Sequence, residues 1–498
     1  MRTNCLLAVL LPALAMSVGW GFRGDYGHEA GAMIPGALAA LAAVLVSGRK
    51  DWLQRFILLA FLGAAGWALG GQMSYGKVVG YTMHSYFHEA TYGFASLFLI
   101  GALWGGMGGG ILGLGLSLPK KDLLSFGLPL ATLYALWKFL DFSGATDGLL
   151  RRFHFHASDW VAALSALAVA LFYSQCHPRF KFAWKFLAVL SLGWMLGLAA
   201  LVHGLGFRMT PPRGDNWTGC LGLFLALLGI LWKLKSQPGW TLAWIGFFAG
   251  GVGFTLGDFL QVLGRAKWGP ISHPWLQGLD YWKWMEQSFG LIMGAGIGWG
   301  IWKLRRAPTV DNEGKGALNW LALFFLMFVM FWENLFKNVR NWKQQGLLQG
   351  NLFGLETQIW LLILALCLGA MLLWAIFLHG RDLLPIIPDQ LQGKAQFLFL
   401  WILWLAVIGA LMQVLPGFKG NGVVLVHGSF WLTAIACTML IFPKRKFELP
   451  ATVAQNSTPS PAIIFAGLGL SLILILGLSW VATGIHPNPL PGAQTRFE

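Results

Sequence analysis

Apolar residues in this chain come in long unbroken runs rather than at alternating or single-face spacing. Runs of about 17 to 25 residues, the length that crosses about 30 Å of hydrocarbon, recur from end to end between short polar segments. They predict helices over 4–20, 30–47, 55–71, 92–118, 123–142, 159–175, 184–203, 217–232, 240–257, 284–302, 317–335, 357–378, 395–414, 422–441 and 461–482, about fifteen spans. Lipid offers no partner to an open backbone, so a bundle of helices is the fold that satisfies such a pattern. The expectation is an all-α polytopic integral membrane protein whose first partner is the lipid bilayer. The opening run, Cys5 to Val18 after Arg2, has the form of a cleavable signal peptide. An equivalent run recurs in mid-chain, over 184–203, which argues that 4–20 is retained as a helix.

The chain repeats itself. Gly19-Trp20-Gly21-Phe22-Arg23 returns as Gly204-Leu205-Gly206-Phe207-Arg208, and Arg23-Gly24-Asp25 returns as Arg213-Gly214-Asp215. Further on, Gly66-Trp67-Ala68-Leu69-Gly70 matches Gly253-Phe254-Thr255-Leu256-Gly257. The ladder Gly101, Gly105, Gly109 matches Gly290, Gly294, Gly298. All the matches fall in one order and at a similar offset. They predict two tandem six-helix repeats, 1–183 and 184–380, in the same orientation and related by a pseudo-twofold along the membrane normal. The halves of many transporters are related in this parallel way. A three-helix extension follows over 381–485, and a Pro-rich tail over 486–498 reads as disordered.

Composition agrees with the pattern. Hydrophobic residues make up 56% of the 498 and charged residues 11%, against about a quarter in soluble domains. Mean hydropathy is +0.63. The net charge of +15 gathers in alternate short loops: Arg49-Lys50, Lys120-Lys121, Arg179 to Lys185, Lys233 to Lys235, Lys303 to Arg306 and Lys444 to Lys446. By the positive-inside rule these loops are cytoplasmic. The N-terminus is then inside, the C-terminus outside, and the membrane a bacterial-type cytoplasmic (inner) membrane. With no basic soluble domain, nucleic acid is excluded as a partner. The five cysteines are scattered without metal-ligand spacing, so neither a metal nor a cofactor is expected.

Most runs are apolar through the middle, and polar groups collect on the side opposite the basic loops. The turn after the first run packs Arg23, Asp25, His28 and Glu29 among glycines. Arginine there could grip a carboxylate or phosphate in a bidentate way, and the acids or the histidine could carry a proton. The plain alternative is an Arg23–Asp25 ion pair that caps the second helix, with Glu29 favoured by the helix dipole. The second copy offers Arg208, Arg213 and Asp215. Lys77 and Asp258 follow the third runs, and Glu333 with Asn334 lies inside an apolar run. Glu286 is another ionisable group within a span. Such groups are costly in lipid and so raise a functional question by default.

Three classes of function remain. The first is a secondary transporter of a small polar or anionic solute, supported by span number, parallel duplication and Gly-rich helix faces. The second is a membrane-embedded transferase acting on a lipid-linked substrate at the extracytoplasmic face. The third is a non-catalytic subunit of a membrane complex, whose protein partners the sequence leaves open.

Overall fold

A computed structural model describes residues 5–153, 158–176, 178–211, 215–312, 318–332, 342–346, 350–380, 391–414, 421–443, 445–449 and 458–497. Its principal helices are α1 (Cys5–Gly21), α2 (Glu29–Ser47), α3 (Phe56–Ala68), α4 (Gly76–Thr82), α5 (Phe87–Gly115), α6 (Gly127–Phe142), α7 (Asp159–Ser174) and α8 (Lys181–Leu198). Then come α9 (Asn216–Lys233), α10 (Gln237–Ala266), α11 (Tyr281–Leu304), α12 (Leu318–Phe324), α13 (Thr357–Gly380), α14 (Leu391–Val414), α15 (Asn421–Ile441) and α16 (Pro461–Ile485). A helix occupies each of the fifteen predicted stretches. Among the described residues, nine helices are long and apolar enough to cross a membrane, and ten if the bent pair α3–α4 is one span. The protein is therefore a multi-pass, helical membrane protein.

Six helices form a closed ring, in the order α1, α2, α3, α5, α10, α11 and back to α1. Glycine makes every joint. An added Cβ at Gly19 of α1 would lie 2.7 Å from Pro35 Cα of α2, and one at Gly36 of α2 would lie 2.3 Å from Gly63 O of α3. At Gly66 of α3 it would meet Gly108 Cα of α5 at 3.1 Å. The two ladders noticed in the sequence do the same work on different partners. Gly101, Gly105 and Gly109 of α5 lie on the backbone of α10 at Gly250, Gly246 and Leu242. Gly290, Gly294 and Gly298 of α11 lie on α1 at Met16, Pro12 and Ala8. Gly257 of α10 closes the circuit against Met285 O of α11, at 2.6 Å. Between helices in lipid, this close backbone approach supplies the dispersion contact that hydrophobic burial supplies in water.

Large side chains fill the ring. Trp67 Nε1 donates to Met293 Sδ across the interior at 3.4 Å, and Trp104 Nε1 donates to Trp67 O at 2.8 Å. Trp20 meets Trp104 edge-on, with centroids 4.7 Å apart, and Phe289 stacks on Phe254. The other helices pack outside: α9 against α5, α7 and α8 beyond it, α14 and α15 against α1 and α2, and α16 against α5 and α10.

The basic end of the ring is stapled shut. Arg49 donates to Asp51 Oδ1 at 2.8 Å and to Ala307 O at 2.7 Å beyond α11, with its guanidinium 4.3 Å over the Trp52 ring. Arg55 reaches Gly115 O and Leu118 O at the end of α5, Asp311 O, and the Asn312 side chain. Both arginines therefore satisfy carbonyls that helix ends leave without partners. Residues 48–50 also pair with Glu448, through Glu448 N to Gly48 O at 2.8 Å and Lys50 N to Glu448 O at 3.1 Å.

The opposite, polar end corrects one expectation. Residues 486–497, read as a disordered tail, are tied down. Gln494 N donates to Gly80 O and Leu490 N to Met83 O, and the Arg265 guanidinium donates to Pro491 O. Arg496 N reaches both oxygens of Glu89 at 3.0 Å, and Phe497 N reaches Glu89 Oε1 at 2.9 Å. Glu89 is 0% exposed, so those main-chain donors replace the water it lost. Replacing Glu89 by Ala should release the tail. Hydrogen bonds to a charged group are worth about 1.5–3 kcal/mol, so carboxypeptidase trimming should speed up roughly ten- to a hundredfold. An unchanged trimming rate would show that this carboxylate does not hold the tail.

Candidate functional site at the polar end of the ring

The turn between α1 and α2 is built to bring a charged side chain inward. A 3-10 turn over Arg23–Tyr26 ends at Gly27, whose φ of +93° few other residues adopt. At Gly31 an added Cβ would sit 2.1 Å from Arg23 O, so the first turn of α2 closes directly onto the Arg23 backbone. The Arg23 side chain is thereby turned into the ring, where it is 2% exposed.

Two further elements meet it. The span begun by α3 breaks after Ala68: a 3-10 turn over Leu69–Gln72 and an extended Met73 lead into α4, which departs at 67°. Tyr75 stands at this break. Gly70 and Gly71 allow it, since their added Cβ atoms would lie 2.0 Å from Trp104 and 2.5 Å from Glu29 Cα. The second element, α11, is capped by Asp280, which accepts from Trp282 N and Lys283 N. One turn along, Lys283 and Glu286 share a face at i and i+3.

Arg23 Nη2 donates to Glu286 Oε1 at 2.8 Å, and the Tyr75 hydroxyl donates to the same oxygen at 2.6 Å. Arg23 also bonds the Tyr75 hydroxyl. The guanidinium lies 5.4 to 5.5 Å from the ring centroids of Trp20, Tyr75 and Trp104. Tyr75 itself stacks on Trp282. Aromatic faces favour the cation, yet the pair is incompletely satisfied. Glu286 Oε2 and Arg23 Nε are both buried without a partner. An added Cβ at exposed Gly24 would meet nothing nearer than Glu286 Oε2, at 4.0 Å, so the free oxygen lies just beneath that glycine.

Above this buried pair lies a more open one. Lys283 Nζ bonds Asp25 Oδ1 at 2.8 Å, with the two side chains 17% and 18% exposed. Burial raises the Asp25 pKa, an effect Lys283 only partly reverses. Burial lowers the His28 pKa, and neighbouring Arg23 lowers it further. Both shifts favour the neutral form. His28 Nδ1 lies 3.4 Å from Arg23 Nη1.

Arg23 and Asp25 do not pair with each other; each instead finds an opposite charge on α11. Glu29 is exposed at the start of α2, beside the broken span. Arg208 and Asp215 form their own pair at 3.2 Å. It belongs to a group with different partners, where the Arg496 side chain donates to Arg208 O and Lys77 Nζ to Pro211 O. Asp258 is fully buried on α10. Arg213, Glu333 and Asn334 lie outside the described residues. Tyr75 and Lys283 were not singled out as site residues from the sequence. The Gly70-Gly71 step that interrupts an apolar run was the available signal for Tyr75, and i, i+3 spacing from Glu286 was the signal for Lys283.

Among the described residues, no group of three or more His, Cys, Asp or Glu side chains is arranged to hold a metal ion. No family model matches the chain, and no curated protein and no solved structure matches it either.

Proposed function

We propose that the protein is a secondary transporter for a small polar or anionic solute, with Arg23 as the solute's anchor and the Arg23–Glu286–Tyr75 contact as its gate. The observation that carries this reading is a broken span whose break delivers Tyr75 to a fully buried, half-satisfied ion pair. Discontinuous helices that bring polar groups into the protein interior are a recurrent device of transporters. A charge pair inside such a ring is costly, and its retention points to function. Glu286 holds the guanidinium through one oxygen only. A solute carboxylate or phosphate could displace it and take the fork in a bidentate grip, while Glu286 accepts a proton. Asp25, Lys283 and His28 would form the vestibule. Under the positive-inside rule the polar end faces outward from a bacterial-type inner membrane, and the arginine-stapled end faces the cytoplasm. The two-repeat organisation would let one half of the molecule move against the other.

The test is a single cysteine in place of Met293, midway along α11 inside the ring, in an otherwise cysteine-free chain. Cysteine keeps a sulfur near Trp67 Nε1. Membrane-impermeant thiol reagents are applied from each face of reconstituted vesicles in turn. Labelling from both faces is expected of a path that opens alternately. Labelling from the polar face alone would replace transport with a transferase site open on that side. No labelling from either face would leave a packed scaffold.

A further inference from the structure

The buried acid on α10 is not part of the Arg23 site and has no counter-charge bonded to it. Asp258 and Gln261 are each 0% exposed. They stand at i and i+3 on one face of a helix counted among the nine apolar spans. All four of their polar side-chain atoms lack a partner: both Asp258 oxygens, Gln261 Oε1 and Gln261 Nε2. Eight residues separate Asp258 from the end of α10 at Ala266, which places it about 12 Å in along the helix. An ionised carboxylate there would have to be paired or hydrogen-bonded.

We infer that Asp258 is a proton-binding site, its carboxyl buried beside Gln261 on one face of α10. Thr82, on the neighbouring helix α4, gives its hydroxyl proton to Val79 O at 2.8 Å. No donor is bonded to either Asp258 oxygen, which leaves a carboxylate unserved, whereas a protonated carboxyl no longer carries the charge that would need one. Among the described residues no charged group on α10 or on the elements packed against it is bonded to Asp258, although Arg265, two turns along α10, acts on it at a distance. Arg265 donates to Pro491 O, Glu89 holds the tail, Lys77 donates to Pro211 O, and Lys283 and Glu286 bond Asp25 and Arg23. Lys233 and Lys303 lie at the far ends of α9 and α11. The proton reaches Asp258 as H+ from the polar end and leaves as H+, so no redox partner is needed. Within the transporter reading, on which this role rests, the Asp258 proton is the coupling ion.

The existence of the site is tested without any solute, by infrared titration of the full chain in liposomes. The parent should show a protonated-carboxyl band at neutral pH that disappears on alkalinisation. Asp258→Asn should lose that band, and Gln261→Leu should shift its midpoint. The titration should be the same in sodium and in choline chloride. Spectra of the parent and Asp258→Asn that coincide would overturn the site, as would a midpoint that follows sodium concentration. Melting temperatures check both variants, and Gln261→Leu carries the test if Asp258→Asn does not fold. Coupling is read separately: an imposed proton gradient should change the face from which Met293→Cys is labelled, and Asp258→Asn should abolish that dependence. A titrating band with gradient-independent labelling would remove the coupling role. Labelling from a single face under every gradient would instead remove the transporter reading and leave the proton site standing.

Discussion

Arg23→Met should cost purified protein about 3–5 kcal/mol of stability, because it leaves Glu286 charged, buried and without its partner. The single change Glu286→Gln should also destabilise, since the guanidinium loses its counter-charge and keeps only neutral partners, the Tyr75 hydroxyl, His28 Nδ1 and the aromatic faces among them. The double variant Arg23→Met/Glu286→Gln should recover most of the loss, because two neutral groups of similar length can occupy the same space. A double-mutant cycle on reversible denaturation in mixed micelles measures the coupling, expected at about 2–3 kcal/mol. A coupling below about 0.5 kcal/mol would mean that each charge is stabilised separately and that the pair does not hold the α1–α2 turn on α11. In vesicles, all three variants should lose two-sided labelling of Met293→Cys if the pair works as a gate.

Gly105→Val should prevent the ring from closing. A Cβ at this position would lie 2.0 Å from the Gly246 carbonyl oxygen, and the reverse substitution at Gly246 would meet Gly105 O at 2.1 Å. Ordinary contact between such atoms is about 3.5 Å, so α5 and α10 would have to part by well over an ångström along their length. Neither backbone can yield as a flexible side chain would. The cost should exceed the usual 1–3 kcal/mol of overpacking and appear as loss of a monodisperse peak in gel filtration. Gly229→Ala is the matched control. Nothing lies within 4 Å of its added Cβ, and the change should be neutral or stabilise α9 by about 0.5–1 kcal/mol. A folded Gly105→Val of parental melting temperature would refute the glycine joint.

How much of this was legible beforehand follows from the range of each interaction. Helices were legible because a span must satisfy its own backbone, which makes the apolar run a local signal. The glycine ladders were visible in the sequence as a repeat, but not which helix each would meet, since Gly290 finds α1 more than 270 residues away. Glu286 drew notice as an ionisable group in an apolar run. Its partner could not be named, because Arg23 lies 263 residues earlier and Asp25 offered a nearer decoy. Asp258 was noticed only as a polar residue just past the run 240–257, and its place inside α10, buried and without a bonded counter-charge, is visible only in the packed ring. The tail was misread because Pro, Gly, Gln and Arg in a short run look like disorder. What orders it lies far away in sequence: the buried acid Glu89, 407 residues before Arg496, together with Gly80 O, Met83 O and the Arg265 side chain.

The ring also dictates an order of assembly. Its first four helices, α1, α2, α3 and α5, leave the ribosome early, but the two that complete it, α10 and α11, follow only after α6 to α9. Chains are made at about 5–20 residues per second, so on the order of ten seconds or more separate the end of α5 from the end of α11. Throughout that interval the glycine faces of α1 and α5 have no helix to meet and must be held against lipid or an insertion factor. Nascent chains stalled before residue 237 should therefore be the most chaperone-dependent and protease-sensitive. Those that have released α11 should become resistant in a single step.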